Sequence, residues 1–293
     1  MSATETLPTI FYFEGRNNSY FYHFIVYALG GLAHLEDGVI PKGEPNTSVL
    51  YRGATPRPIQ YTLDNVRHQL PLQFPINVII DGKNEGRHVL NEWQRDIINS
   101  FFYDKIKIID ELPADYNLIS VYGEPLLTNP YSDNPIKVYG YLRNVVLSKC
   151  NFEYTGQRVF ITRRNAGKLH NAVSTRYIIN EDEVYAMLSQ YGFGYVCLED
   201  ISFAEKVKLF NTSAYIISTH SGGLTCCIWA NAATHLIELL NRGQPGFPNG
   251  HYEFICNALG IRRTKYTNIQ EDGSGNSFID VNALEQFVRD LPY

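Results

Sequence analysis

Between residues 158 and 240 short apolar runs alternate with amphipathic stretches that carry helix start and stop signals, and this alternation constrains the fold more than any other feature. Arg158–Thr162 (RVFIT) reads as a strand ending in the basic pair Arg163 and Arg164. Asn180 and Glu183 have the spacing of a helix cap whose third residue reaches back, and Val184, Met187, Leu188 and Tyr191 follow at i, i+3, i+4 and i+7. Gly192 closes that helix and Tyr195–Leu198 is the next strand. Ser202 and Glu205 repeat the capping box ahead of an apolar stripe at Phe203, Val207 and Phe210. Tyr215–Ser218 then leads through His220-Ser-Gly-Gly223 into a helix reaching Trp229, and His235–Leu240 is a further strand. Strands and helices in this order predict an α/β fold with a parallel sheet and crossover helices.

The first half repeats the alternation more faintly. Ile10–Phe13, Asn77–Ile80, Ile106–Ile109 and Leu118–Val121 read as strands, and Tyr20–Leu32 and Val89–Phe102 as helices. Leu126–Pro135, rich in Asn-Pro steps and poor in apolar residues, is the expected linker, which places one domain at 1–135 and a second at 136–293 with a cleft between them. Val281–Leu291 is a helix that could pack across either domain.

Composition narrows the functional classes. A length of 293 residues allows two cores, and 21 Tyr with 16 Phe exclude a disordered chain. The net charge of −5 gives no general attraction to nucleic acid, so an anionic ligand has to be small and met by a local basic cluster. Two uncharged stretches, Asn17–Leu35 and Asn211–Ile237, contain His, Asn and Gly at positions costly in hydrocarbon, so no stable membrane insertion is expected. The five cysteines, Cys150, Cys197, Cys226, Cys227 and Cys256, lack CxxC spacing and suit small buried side chains in a reducing compartment.

The candidate site residues cluster at strand ends. A strand running through a polar-Gly-Gly turn into a helix presents unpaired N–H groups and a positive dipole end, which favour a phosphate. Glycines that serve only the turn are the plain alternative. Arg163 and Arg164 lie at the carboxyl end of a strand, the edge where open α/β sheets bind ligands, and their guanidinium groups can hold a diphosphate; a solvated pair is equally open. Arg176 either adds a third positive charge or caps its own loop. Glu238 could accept two ribose hydroxyls, or be an ordinary strand-end charge.

Taken together, ITRRN, NEDEVYAMLSQYGF, CLEDISFAEKVKLFNTSAYIISTHSGGLT and HLIEL resemble, in order and spacing, glycosyltransferase family 61, the group that includes plant β-1,2-xylosyltransferases and animal O-linked N-acetylglucosaminyltransferases. The likeness covers about Arg158 to Leu240. In the N-terminal half, Asn18-Ser-Tyr-Phe-Tyr-His23-Phe is similar to the family's Asn-Tyr-His-Phe/Trp segment, and Glu92-Trp93-Gln94-Arg95 falls where a comparable helix is expected. The resemblance implies a GT-B architecture of two Rossmann-like domains with parallel sheets facing a cleft. It implies inverting transfer from a UDP-sugar donor, xylose first and N-acetylglucosamine next, to a hydroxyl of a glycan or glycoprotein acceptor. Carried over, Arg163 and the turn His220, Ser221, Gly222, Gly223, Leu224 and Thr225 face the diphosphate, Leu198 and Glu199 lie near the base, and Glu238 near the ribose. The family's His-Gly-Ala-Gly-Leu-Thr-Asn is here His220-Ser-Gly-Gly-Leu-Thr-Cys226, which adds a hydroxyl at Ser221.

Inverting transfer needs a base for the acceptor hydroxyl and stabilisation of the departing diphosphate. His23 ranks first as base and Asp81, at a strand's carboxyl end, second; a histidine inside FYHFIVY is also a common core residue. No two Asp residues stand at i and i+2, so the Asp-x-Asp metal pair is missing and neither metal nor cofactor is expected. Glu181-Asp-Glu183 reads as the acidic first turn of a helix. One rival is an α/β-hydrolase with Ser221 as nucleophile, for which Glu238 and His251 are the available partners in chain order. The other is a non-catalytic nucleotide-binding or carbohydrate-binding protein. A dinucleotide fingerprint is absent, since Gly192-Phe-Gly194 lies between helix and strand. Met1 to Pro8 is polar, with neither a basic start nor an apolar stretch, so a cytoplasmic protein is expected, bacterial or viral, or else a trimmed form.

Overall fold

The structure, a computed structural model, describes residues 9–14, 21, 24–36, 59–60, 74–80, 83–84, 87–88, 90–109, 117–122, 135–164, 177–240, 250–273 and 275–292. The chain divides into two compact units, Met1–Lys149 and Cys150–Tyr293. Each is built on a five-stranded sheet whose neighbouring strands all run parallel, as the α/β reading expects.

In the first unit β1 (Thr9–Glu14), β2 (Ile59–Gln60), β3 (Ile76–Ile80), β6 (Ile106–Ile108) and β7 (Asn117–Tyr122) form the sheet in the order β2-β7-β1-β3-β6, while β4 (Lys83–Asn84) and β5 (Arg87–His88) make a separate antiparallel pair. The first uncharged stretch contains a core segment. It runs through a π-helical turn at Phe24–Ala28 and a 3₁₀ turn at Leu29–Gly31 into α1 (Leu32–Glu36), with Phe24, Ile25, Leu29 and Leu32 wholly buried. The helix expected over Val89–Phe102 appears as α2 (Glu92–Ile97), continued by a π-helical turn at Ile98–Phe102.

The helix α3 (Pro135–Leu147) moves the expected boundary at 135/136 to 149/150. Its apolar face, Val138, Tyr139, Leu142 and Val146, is buried. A side chain at Gly30 would meet Val138 Cγ1 at 2.8 Å, so the first unit's core segment and α3 approach closely only because position 30 is glycine. The Asn-Pro steps are turn signals, and a turn signal need not coincide with the edge of a core. Residues 126–134 lie outside the described residues.

In the second unit β8 (Gln157–Thr162), β9 (Phe193–Cys197), β10 (Ser213–Thr219), β11 (His235–Leu239) and β12 (Arg262–Tyr266) are ordered β12-β11-β10-β8-β9. The chain therefore adds β9 on one side of β8 and then crosses to add β10 on the other. Connections leaving in opposite directions open a crevice beyond the carboxyl ends of β8 and β10. Alternation along the strands separates two faces. One carries Phe160, Ile217, Ile237 and Leu239, which pack with Val184, Met187 and Leu188 of α4 (Glu181–Gln190). On the other, α5 (Phe203–Thr212) packs on the 3₁₀ helix Gly222–Trp229, with Phe203 edge-to-face on the wholly buried Trp229 at 5.1 Å. The helix α6 (His251–Leu259) packs against that 3₁₀ helix and β12.

Several local expectations hold and some change. Ser202 and Glu205 form the capping box of α5, and Gly192 takes φ 76° after α4. Asn180 stands at the N-cap of α4 as expected, but its side chain makes no capping hydrogen bond. Its side chain instead donates to the Ile279 carbonyl at 2.8 Å and accepts from the Ile279 amide at 3.1 Å, tying α4 to the antiparallel pair β13 (Ile269–Glu271) and β14 (Ser277–Ile279). The last helix, α7 (Val281–Arg289), stays within the second unit, because Leu284 and Val288 complete the core under α4. No helix among the described residues is long and apolar enough to cross a membrane.

Candidate functional site

The site grows out of the carboxyl ends of β8, β10 and β11. Arg163 follows β8 directly, and its Nη1 donates to the carbonyl of His220, which follows β10, at 3.4 Å. The crossing at the centre of the sheet thus brings together two residues that are 57 positions apart. Ser221 is extended, and the 3₁₀ helix begins at Gly222. The first N–H groups of a helix have no partner within it, so those of Gly222 and Gly223 are presented to the same edge. Within the turn, Leu224 donates its amide to the Ser221 carbonyl at 3.0 Å and Thr225 Oγ1 donates to the Gly222 carbonyl at 2.6 Å. Tyr252 of α6 donates its hydroxyl to the Ser221 carbonyl, which pins the turn from behind.

Gly223 is packed closely against Leu198. A Cβ there would stand 2.6 Å from Leu198 Cδ1, and Leu198 is itself buried in the 3₁₀ turn Leu198–Asp200 after β9. The turns after β9 and β10 therefore touch, and Leu198 serves as the wall against which the Gly-Gly turn is set. Glu199 accepts from Cys197 Sγ at 3.2 Å. Burial, reinforced by that bond to a carboxylate, pushes the Cys197 thiol up to about 11, so it is a poor nucleophile. Burial likewise pushes Cys226 up to about 12.

Two residues have partners that differ from the sequence reading. Arg164 turns away from Arg163: its Nη2 donates to Asp182 at 2.6 Å and its Nε lies 3.3 Å from Glu181 Oε1. Glu181 is only 4% exposed and also accepts from Thr162 Oγ1 at 2.7 Å and the Tyr195 hydroxyl at 2.6 Å. A buried carboxylate needs such compensation, and Arg164 supplies the positive charge. Glu238, only 1% exposed, has both oxygens engaged, Oε1 by His220 Nδ1 and Oε2 by Arg263, whose Nε donates at 2.8 Å. Burial raises its pKa, but the bond from His220 and the charges of His220 and Arg263 outweigh that and hold it below the usual carboxylate range. The carboxylate is thus held on both oxygens within the fold, by His220 and by Arg263.

The same pairing removes the acid that a Ser221 hydrolase needs. Glu238 bonds His220 and Arg263, and Ser221 sits on extended backbone rather than on a sharp elbow. Tyr252 and Arg263 are site residues that sequence reasoning missed. Arg263 belongs to a charged edge strand, RRTKY, with no apolar run to announce it, and it reaches Glu238 because β12 pairs with β11 in the register Leu236 to Arg263.

His23, Asp81 and Arg176 lie outside the described residues. Close to His23 in sequence, Phe21 and Phe24 contact Trp93 of α2 at 5.8 and 5.2 Å, so the two family-like segments of the N-terminal half pack on one another. Among the described residues no cluster of His, Cys, Asp and Glu could hold a metal ion.

A parallel α/β unit with Arg163, a histidine and a Gly-Gly helix start at its switch point has the doubly wound architecture, whose sheets take ligands at that edge. The family model described as Glycosyltransferase 61 matches residues 21–237, and the chain belongs to that family. Among solved structures it is similar to the dodecameric iron-containing heptosyltransferase TibC in complex with ADP-D-beta-D-heptose, at 11% identity and a TM-score of 0.40, covering 97% of this chain and 76% of that one. It is also similar to TibC from enterotoxigenic E. coli H10407, at 14% identity and a TM-score of 0.33 with the same coverage. A search of curated proteins finds no match.

Proposed function

We propose that the chain is an inverting, metal-independent glycosyltransferase that takes its sugar from a UDP-sugar and passes it to a hydroxyl of a glycan or glycoprotein. The observation that carries this reading is the convergence of Arg163, His220 and the Gly222–Gly223 turn at the switch point between β8 and β10. A guanidinium, an imidazole and two backbone N–H groups in one place suit the two phosphates of the donor, and they stabilise the negative charge that builds on the diphosphate as the sugar departs. Leu198 and Glu199, in the turn beside Gly223, are the proposed neighbours of the base. Xylose is the first choice of sugar and N-acetylglucosamine the second. His23 is the proposed base, with Asp81 next, and Arg176 a further donor contact. The chemistry needs no metal in this scheme, because fixed positive groups take over the role of neutralising the leaving group.

Calorimetric titration with UDP tests the donor site. Arg163→Ala should weaken UDP binding by about 1.5–3 kcal/mol, the scale of a hydrogen bond to a charged group. Unchanged affinity would remove Arg163 from the site. UDP binding with no sugar transfer to any acceptor, and no slow hydrolysis of UDP-sugars, would favour a binding protein over an enzyme.

A further inference from the structure

We propose that Glu238 and Arg263 are positioning residues that act through His220, fixing the proton on its Nδ1 and turning its Nε2 edge toward the donor diphosphate. The inference rests on the donor-site reading above and assigns the chemistry of one of its contacts. His220 is held on several sides. Its Nδ1 meets Glu238 Oε1, its ring lies 5.1 Å from that of Tyr252, its amide donates to the Leu239 carbonyl at 3.3 Å, and its carbonyl accepts from Arg163. An ionised carboxylate can only accept, so the Nδ1 facing it must carry the proton. Arg263, 7% exposed at its side chain, binds the other oxygen of Glu238 and keeps the carboxylate aligned. Beyond it, Glu253 accepts from Lys265 at 2.6 Å and lies 3.5 Å from Arg263 Nη1, so the chain of charges continues to the surface.

The consequence is chemical. With the Nδ1 proton fixed, the neutral ring carries a lone pair on Nε2 and repels a phosphate oxygen. Only the imidazolium donates from Nε2, and it does so with Glu238 beneath it to balance the charge. The charged groups around the residue are thus Glu238 at Nδ1, Arg163 at the backbone carbonyl and, behind Glu238, Arg263. The positioning role explains why a glutamate whose oxygens are both engaged is placed at the binding edge of the sheet.

Two readouts test the relay. The first needs no ligand: two-dimensional ¹⁵N spectroscopy of the histidine rings, with the His220 signals identified by their loss in His220→Asn. At a pH where the ring is neutral, wild-type protein should show the Nδ1-protonated tautomer, and Glu238→Gln should weaken or reverse that preference while leaving the His235 signals in place as a control on folding. An Nε2-protonated ring in wild type would overturn the proposal. The second is a double-mutant cycle on UDP affinity. Glu238→Gln and His220→Asn should each weaken UDP about 10-fold, within the range of groups that orient a ligating histidine, and the double variant should be no worse than the weaker single one. Losses that multiply would mean Glu238 acts independently of His220, and would also overturn it. Failure of wild-type protein to bind UDP would sink the donor-site reading, while the tautomer readout would still decide the relay. Should Glu238→Gln fail to fold, the tautomer of the wild-type ring alone supports or overturns the proposal.

Discussion

Two histidines in the same sheet meet opposite surroundings. His220 follows β10 at the carboxyl edge, with Glu238 against its Nδ1 and Arg163 on its carbonyl. His235 begins β11 at the amino edge, 4% exposed, with Nε2 on Thr264 Oγ1 at 2.8 Å and its ring 5.7 Å from Tyr215. Its Nδ1 has no hydrogen-bond partner among the described residues. Burial drives the His235 pKa down to about 4, with Arg262 adding to the effect, so at neutral pH it is an uncharged core side chain. Position in the sheet separates the two: crossovers diverge at the carboxyl edge and leave room for a ligand, while at the amino edge His235 packs beside Tyr215, over which Arg158 stacks at 5.1 Å. A histidine in an apolar strand thus says little about function until its electrical neighbours are known.

The strongest way to break the contrast is to remove a charge from the carboxyl edge. Arg263→Met should cost about 3–5 kcal/mol of stability, the scale for breaking a buried ion pair, measured by urea unfolding at pH 7. A loss below about 1 kcal/mol would mean that Glu238 does not depend on Arg263. At the amino edge the effect follows pH. The unfolded chain protonates His235 near 6.5, whereas the folded chain does so only near 4, so stability should fall as pH drops across that window, by up to about 3 kcal/mol. His235→Gln should flatten this slope in urea titrations at several pH values; an unchanged slope would show that His235 is charged in the native state. The smallest effect is expected at Arg164, which is 53% exposed at its side chain and bound to Glu181 and Asp182. Arg164→Ala should change stability by no more than about 1 kcal/mol and leave UDP affinity within about twofold, in contrast to Arg163→Ala. A loss as large as that of Arg163→Ala would return Arg164 to the donor site.

Much of the second unit was legible because its signals are local. The capping box at Ser202 and Glu205, the apolar stripe at Phe203, Val207 and Phe210, and the runs that became β8, β10 and β11 depend on neighbours a few residues away. The segment from His251 to Tyr266 was silent for the opposite reason. RRTKY becomes a strand because β11 offers it an edge, and α6 is fixed by packing on the 3₁₀ helix and β12. Asn180 followed the same logic. Its spacing to Glu183 fits a cap, yet the backbone of Ile279, 99 residues away, offered two hydrogen bonds at once and won. The division between the units falls later than the Asn-Pro steps because those steps signal turns, whereas a compact unit ends where burial ends, after α3.

At the site, the motifs pointed to Arg163 and the turn from His220 to Thr225 together with their place at strand ends. Sequence alone determined the alternation of strands and helices, hence a parallel sheet, and with it the edge at which a ligand would be met. Tertiary structure decided which charges face that edge. It sent Arg164 to a buried Glu181, set Leu198 against Gly223 and placed Glu238 between His220 and Arg263. The physical reason is one of range: hydrophobic period and capping act within a few residues, whereas the partner of a buried charge is chosen by strand order and register across the sheet.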